Sequence, residues 1–187
     1  MNAKRIALIV GAFFSVATLS LANASFASAD TASGHLWNAS PSSNECLAAA
    51  GNKHDSDVIM WTCDGEAGQQ WYAAPHNNGN AANDITIKNG NGDCLGVMDD
   101  SETEGAQVVA WSCDQNSDQD WSVQSNTGST MVLVNERNPL NCLSVSGGST
   151  ANGANAITWN CYDYTADQQW SSAVGDNAFA DEQSLQN

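Results

Sequence analysis

Three landmarks recur in one order, three times over, along this chain. Cys-Leu stands at Cys46-Leu47, Cys94-Leu95 and Cys142-Leu143. Trp-x-Cys follows at Trp61-Thr62-Cys63, Trp111-Ser112-Cys113 and Trp159-Asn160-Cys161. Gln-x-Trp closes each unit at Gln69-Gln70-Trp71, Gln119-Asp120-Trp121 and Gln168-Gln169-Trp170. Successive copies lie 48 to 50 residues apart. A fixed period of this length means one supersecondary unit that buries its apolar face against its own copies, a tighter constraint on the fold than any local propensity.

The unit itself reads as strands and turns. Asp84-Ile85-Thr86-Ile87-Lys88 alternates, Met131-Val132-Leu133-Val134 is a short apolar run, and each Trp-x-Cys follows an apolar stretch (Val58-Ile59-Met60, Val108-Val109-Ala110, Ala156-Ile157-Thr158). These patterns predict strands. Asn89-Gly90, Asn91-Gly92 and Asn152-Gly153 predict turns with positive φ. Helical periodicity is lacking, so the fold class is all-β, and threefold repetition selects a barrel with pseudo-threefold symmetry.

Three equivalent units also order the six cysteines. Of the 15 possible connectivities, symmetry favours one bond inside each repeat: Cys46–Cys63, Cys94–Cys113 and Cys142–Cys161. Disulfides imply an oxidising compartment. The N-terminus agrees, with a cationic Lys4-Arg5 head, an uncharged apolar run from Ile6 to Leu21, and the small-residue sites Ala22-Asn23-Ala24 and Ala27-Ser28-Ala29. That is the layout of a secretory signal peptide over 1–29, cleaved after Ala29 or, alternatively, Ala24, rather than a retained membrane helix. The expected division is then a leader over 1–29, one domain over 30–173 and an acidic, frayed tail over 174–187. The expected location is extracellular.

Beyond the leader, three cationic side chains (Lys53, Lys88 and Arg137) face all 21 carboxylates of the chain. So acidic a surface excludes phosphate backbones, which bind by exchanging counterions for Lys and Arg. Neither a nucleic-acid partner nor membrane insertion is expected. The sequence holds no Gly-x-Ser-x-Gly, His-Glu-x-x-His or phosphate loop, and no enzyme activity is expected. Asp55-Ser56-Asp57 and Asp114 to Asp120 lack the Gly and terminal Glu of an EF-hand loop and read as solvated loops. No metal or cofactor is expected. Asn38-Ala39-Ser40 is a glycosylation sequon, relevant only in a host that glycosylates.

The recurring aromatics divide into two sets. Trp71, Trp121 and Trp170, one near the end of each unit, are placed to meet around a threefold axis as core. Trp61, Trp111 and Trp159 each stand two residues before a cysteine and share its strand face. They either cover the disulfide as satellite core or offer a flat face for sugar C–H groups to stack on. Chemistry alone leans slightly to core packing and leaves both open. The Gln of Gln-x-Trp has an amide able to bridge backbone groups or to line a site.

On these landmarks, from Gly34 to Trp170, the chain resembles the ricin-B-type lectin family, also met as a carbohydrate-binding module appended to secreted glycosidases. The resemblance implies a β-trefoil of twelve strands with three pseudo-symmetric repeats and up to three shallow saccharide pockets. It implies that Trp61, Trp111 and Trp159 are stacking platforms, with Gln69, Gln119 and Gln168 beside the pockets. Departures from the family pattern are specific. The Asp that follows Cys-Leu in galactose-binding repeats is replaced by Ala48, Gly96 and Ser144. The polar residue two before the platform is replaced by Ile59, Val109 and Ile157. The Asn before Gln-x-Trp is replaced by Gly68, Asp118 and Asp167. Asp118 and Asp167 are near-isosteres of that Asn and are expected to serve as acceptors, so the second and third repeats are expected to keep more than the first. Asp99 and Asp100 stand close enough to substitute for the missing Asp, but read more simply as acidic turn residues. The expected function is a secreted lectin binding poly- or oligosaccharide weakly at each platform, with carbohydrate as partner. The alternative is a trefoil that has lost sugar binding and docks to a secreted protein, such as a toxin or enzyme subunit.

Overall fold

A computed structural model of the chain describes residues 36–38, 44–51, 53–75, 84–125, 130–161 and 164–172. The leader over 1–29 and the tail over 174–187 lie outside the described residues. Twelve strands form one antiparallel system: β1 (Leu36–Asn38), β2 (Glu45–Ala49), β3 (Ser56–Thr62), β4 (Trp71–Pro75), β5 (Ile85–Asn89), β6 (Cys94–Val97), β7 (Val108–Trp111), β8 (Asp120–Ser125), β9 (Met131–Asn135), β10 (Asn141–Val145), β11 (Ala156–Asn160) and β12 (Trp170–Ser172). The strand expected over 84–88 runs one residue later, and the one over 131–134 extends to Asn135.

Six strands pair in the order β4–β5–β8–β9–β12–β1 and make the barrel wall. The other six form three hairpins, β2–β3, β6–β7 and β10–β11. Each hairpin sets the first cysteine of its repeat opposite the platform aromatic: Cys46 opposite Trp61, Cys94 opposite Trp111, Cys142 opposite Trp159. The hairpins join into a ring. Ser56 and Asp57 pair with Ala110 and Val109, Gln107 bridges to Ile157, and Asn155 bridges to Ile59. A second set of contacts follows the same circle: the backbone N–H of Asp55 donates to Ala110 O, Gly105 to Thr158 O and Gly153 to Met60 O.

At the centre of the core, Trp71, Trp121 and Trp170 are fully buried among Leu47, Leu95, Leu143 and the barrel-facing Ile, Val and Met residues. Each indole N–H donates to the carbonyl of the Leu in its own Cys-Leu pair: Leu47 O at 2.9 Å, Leu95 O at 2.8 Å and Leu143 O at 3.0 Å. These bonds give two distant landmarks a physical reason to recur together, because a buried indole and a buried carbonyl each need a partner.

All three expected disulfides are present: Cys46–Cys63, Cys94–Cys113 and Cys142–Cys161. The second closes a loop with a sequence separation of 19. Replacing Cys94 and Cys113 together by alanine is expected to lower the unfolding free energy by about 3 kcal/mol, the loop-closure entropy returned to the unfolded chain. Urea unfolding of the double variant measures it.

One local expectation is corrected. Gly92 and Gly153 adopt positive φ, but Gly90 does not. Glycine at 90 answers a close approach instead, since a Cβ there would lie 2.8 Å from the Ala67 carbonyl oxygen. The sequon residue Asn38 sits in β1, 6 % exposed, with its amide donating to Gln169 O, so its nitrogen is engaged inside the fold.

Candidate functional site

The hairpin geometry brings Trp61, Trp111 and Trp159 to the surface, 44 %, 40 % and 46 % exposed. This corrects the lean toward core packing. Each Trp is paired across the hairpin with a fully buried cysteine. Each indole thus stands across the hairpin from the buried half of a disulfide, with its ring partly open to solvent.

Each exposed Trp floors a cleft, and the three clefts have volumes of about 430, 340 and 490 Å³ in chain order. Positions after Cys-Leu form one wall, the short 3₁₀ turn before Gln-x-Trp forms the other, and Ile59, Val109 or Ile157 lies beside the floor. The turns span Ala67–Gln69, Ser117–Gln119 and Ala166–Gln168.

Gln69, Gln119 and Gln168 are all buried. Gln69 Nε2 donates to Thr62 O, while its Oε1 accepts from the Asp64 N–H. Gln119 repeats this with Ser112 O and the Asp114 N–H. Gln168 Nε2 donates to Asn160 O. These amides pin the chain just after each platform to the turn that forms the opposite wall. Their visible work is to fix the width of the cleft.

The wall residues vary as pairs. In the first cleft Ala48 and Gly68 both line the space, and neither offers a polar side chain. In the second, Gly96 stands where a Cβ would fall 2.9 Å from Asp118 Oδ2 and 3.0 Å from Gln119 Cγ. In the third, Ser144 Oγ donates to Asp167 Oδ2 at 2.6 Å. The carboxylate missing after Cys-Leu therefore has a counterpart on the opposite wall in two clefts. In the second, it fits only because residue 96 has no side chain. Asp64 and Glu66 supply the acidic groups of the first cleft.

Two of the platforms also meet a residue of the neighbouring repeat. A Cβ on Gly105, in the second repeat, would lie 3.5 Å from Trp159 Cζ3 in the third. At the equivalent place Asp55, from the first repeat, lines the Trp111 cleft. Sequence reading set Asp55 aside as a solvated loop residue. The available signal was spacing: Asp55, Gly105 and Gly153 each stand six residues before a platform Trp. Asp114 and Asn116, set aside with the other acidic loop, line the second cleft too, as does Met98, which was not singled out. Asp99 and Asp100 do line it.

Burial, then the nearby carboxylates of Asp114 and Asp100, push the Asp118 carboxyl up to about 6. Burial and Glu136 push Asp84 up to about 6 as well. A carboxyl whose pKa rises on folding binds its proton more tightly in the folded state. Its ionisation therefore costs stability as pH climbs from about 4 through 6, and acidification restores it. Asp118→Asn is expected to be more stable than the parent at pH 7 by on the order of 1–3 kcal/mol, and to lose that advantage below about pH 4. Urea unfolding at the two pH values reads both halves.

The ricin-type β-trefoil lectin domain model matches residues 32–170. No curated protein sequence matches the chain. Among solved structures, the designed threefold-symmetric protein ThreeFoil is 23% identical with a TM-score of 0.67, over 75% of this chain and 96% of that one. The exo-β-1,3-galactanase 1,3Gal43A from Clostridium thermocellum is 21% identical with a TM-score of 0.68, over 77% of this chain but 30% of that one. The Macrolepiota procera ricin B-like lectin, solved with lactose, is 17% identical with a TM-score of 0.61, over 76% of this chain and 94% of that one. At these identities the likeness is one of fold.

Proposed function

The chain belongs to the ricin-type β-trefoil lectin family, and from that premise we propose that it is a secreted lectin whose three Trp-floored clefts bind saccharide. One observation carries the reading: Trp61, Trp111 and Trp159 each stand opposite a disulfide cysteine with 40 % or more of their surface open, each lining a cleft. A folded protein leaves three such aromatics exposed at a cost, and an aromatic floor with a few acceptors beside it is what a sugar ring requires.

Affinity at each cleft is low, because no repeat keeps the full polar set of a galactose site. Useful binding comes from three clefts engaging one repetitive glycan, which raises avidity without new contacts. Asp118 and Asp167 accept hydrogen bonds from sugar hydroxyls. Gln69, Gln119 and Gln168 position the walls. The domain occupies residues 30–173 behind a cleaved leader, and its three disulfides suit the extracellular space. The test is retention on immobilised polysaccharides together with a glycan array. Retention of at least one repetitive glycan supports the reading. Folded protein that retains none overturns it in favour of a protein-docking trefoil.

A further inference from the structure

The second cleft differs from its two copies in a way the shared fold does not require. At Asp99 and Asp100 the backbone is left-handed, with φ of 57° and 54°. The third repeat has Gly147 and Gly148 at the same places, with φ of 63° and 60°. Asp55 has φ 67°, where its equivalents Gly105 and Gly153 have 81° and 85°. Left-handed backbone costs a non-glycine residue roughly 1 kcal/mol, and the third repeat solves both turns with glycine. All three aspartates line one cleft, that of Trp111.

A second observation lies deeper in the same cleft. Asp118 lines it while more than nine-tenths buried. Its carboxylate takes hydrogen bonds from the backbone N–H of Val97 and from its own, while Asp114 and Asp100 add repulsion. Arg137 Nε pairs with Asp100 and Glu102, each at 3.2 Å. Among the described residues no other basic side chain is recorded against the acids of this cleft. Neutral hydroxyls do not relieve such a concentration of negative charge beside an open indole face; a cation does so twice, by ion pairing and by cation–π contact. Among the described residues no three carboxylates converge closely enough to hold a metal ion. The acids ring a space of about 340 Å³ instead.

Building on the saccharide reading above, we infer that the Trp111 cleft selects a protonated amino sugar, its ring stacked on Trp111 and its ammonium group among Asp55, Asp99, Asp100, Asp114 and Asp118. The first and third clefts take neutral units of the same glycan class. Specificity in the second cleft therefore comes from two repeats, since Asp55 belongs to the first.

Isothermal titration of the full chain with a β-1,4-glucosamine hexamer, just above pH 6, tests this against its N-acetylated hexamer, which has the same skeleton without the charge. Expected are at least tenfold tighter binding of the amine form and shrinkage of that preference at high salt. The variant Asp55→Gly/Asp99→Gly/Asp100→Gly is expected to abolish the preference, bringing the affinity for the amine hexamer down to that for the neutral one. Because glycine relieves the backbone at these positions, the variant folds with a Tm no lower than the parent. Equal affinity for both hexamers overturns the inference and leaves the lectin reading standing. Binding of no saccharide overturns both. Saturable binding of calcium alone, lost in the triple variant, overturns the amino-sugar assignment in favour of a metal site.

Discussion

Trp121→Ala is expected to destabilise the protein by about 3–5 kcal/mol, the range for deleting a fully buried aromatic from a packed core. The indole is fully buried, and its N–H is bonded to Leu95 O at 2.8 Å. Truncation opens a cavity that the surrounding Ile, Val and Leu side chains cannot collapse into, because the barrel strands fix their positions. It also strands the Leu95 carbonyl, which costs about 1–3 kcal/mol of its own. Against a total of roughly 5–15 kcal/mol, much of the stability goes. Trp121→Phe separates the two effects, since it keeps most of the ring volume and removes the donor; it is expected to cost about 1–3 kcal/mol. Urea unfolding of both variants gives the comparison. A loss below about 1 kcal/mol for the alanine variant means the three tryptophans do not share one core.

The second large effect concerns the other aromatic set. Trp61→Ala/Trp111→Ala/Trp159→Ala is expected to remove all retention on any glycan that holds the parent, a fall of at least a hundredfold in apparent affinity. The argument is multiplicative: each platform supplies most of a weak site, and avidity across linked sites amounts to about 10²–10⁴. Any single replacement leaves two linked sites and is expected to cost only about tenfold. Stability changes less than in the core variant, because each ring is only partly buried. The measurement is retention on the immobilised glycan beside a urea midpoint for each variant. If the triple variant binds as the parent does, the platforms are not the binding surface, and the protein-docking reading takes precedence.

Much of this architecture was legible because the landmarks that repeat are the ones that touch. Trp121 and Leu95 are 26 residues apart in sequence yet share a buried hydrogen bond, so one cannot change without the other losing its partner. The disulfides followed from the same symmetry. The exposure of Trp61, Trp111 and Trp159 was not legible from residue type, since a tryptophan beside a cysteine is equally plausible under or over the surface. The clefts were the least legible part. Reading each repeat against a family pattern shows Ala48, Gly96 and Ser144 as losses. The structure shows that Gly96 makes room for Asp118 and that Ser144 donates to Asp167. Asp55 was missed for a related reason: it belongs to one repeat by sequence and lines the cleft of the next.

That last arrangement has a consequence for how such a protein can change. The backbone bonds from Asp55, Gly105 and Gly153 to the following repeat run once around the molecule, and at Asp55 this contact carries a side chain of the first repeat into the cleft of the second. A second repeat cut out and grafted elsewhere therefore leaves part of its own cleft behind. An exchange at position 55 alters the neighbour's cleft and leaves the Trp61 floor untouched, which lets the sites diverge while their scaffolds stay alike.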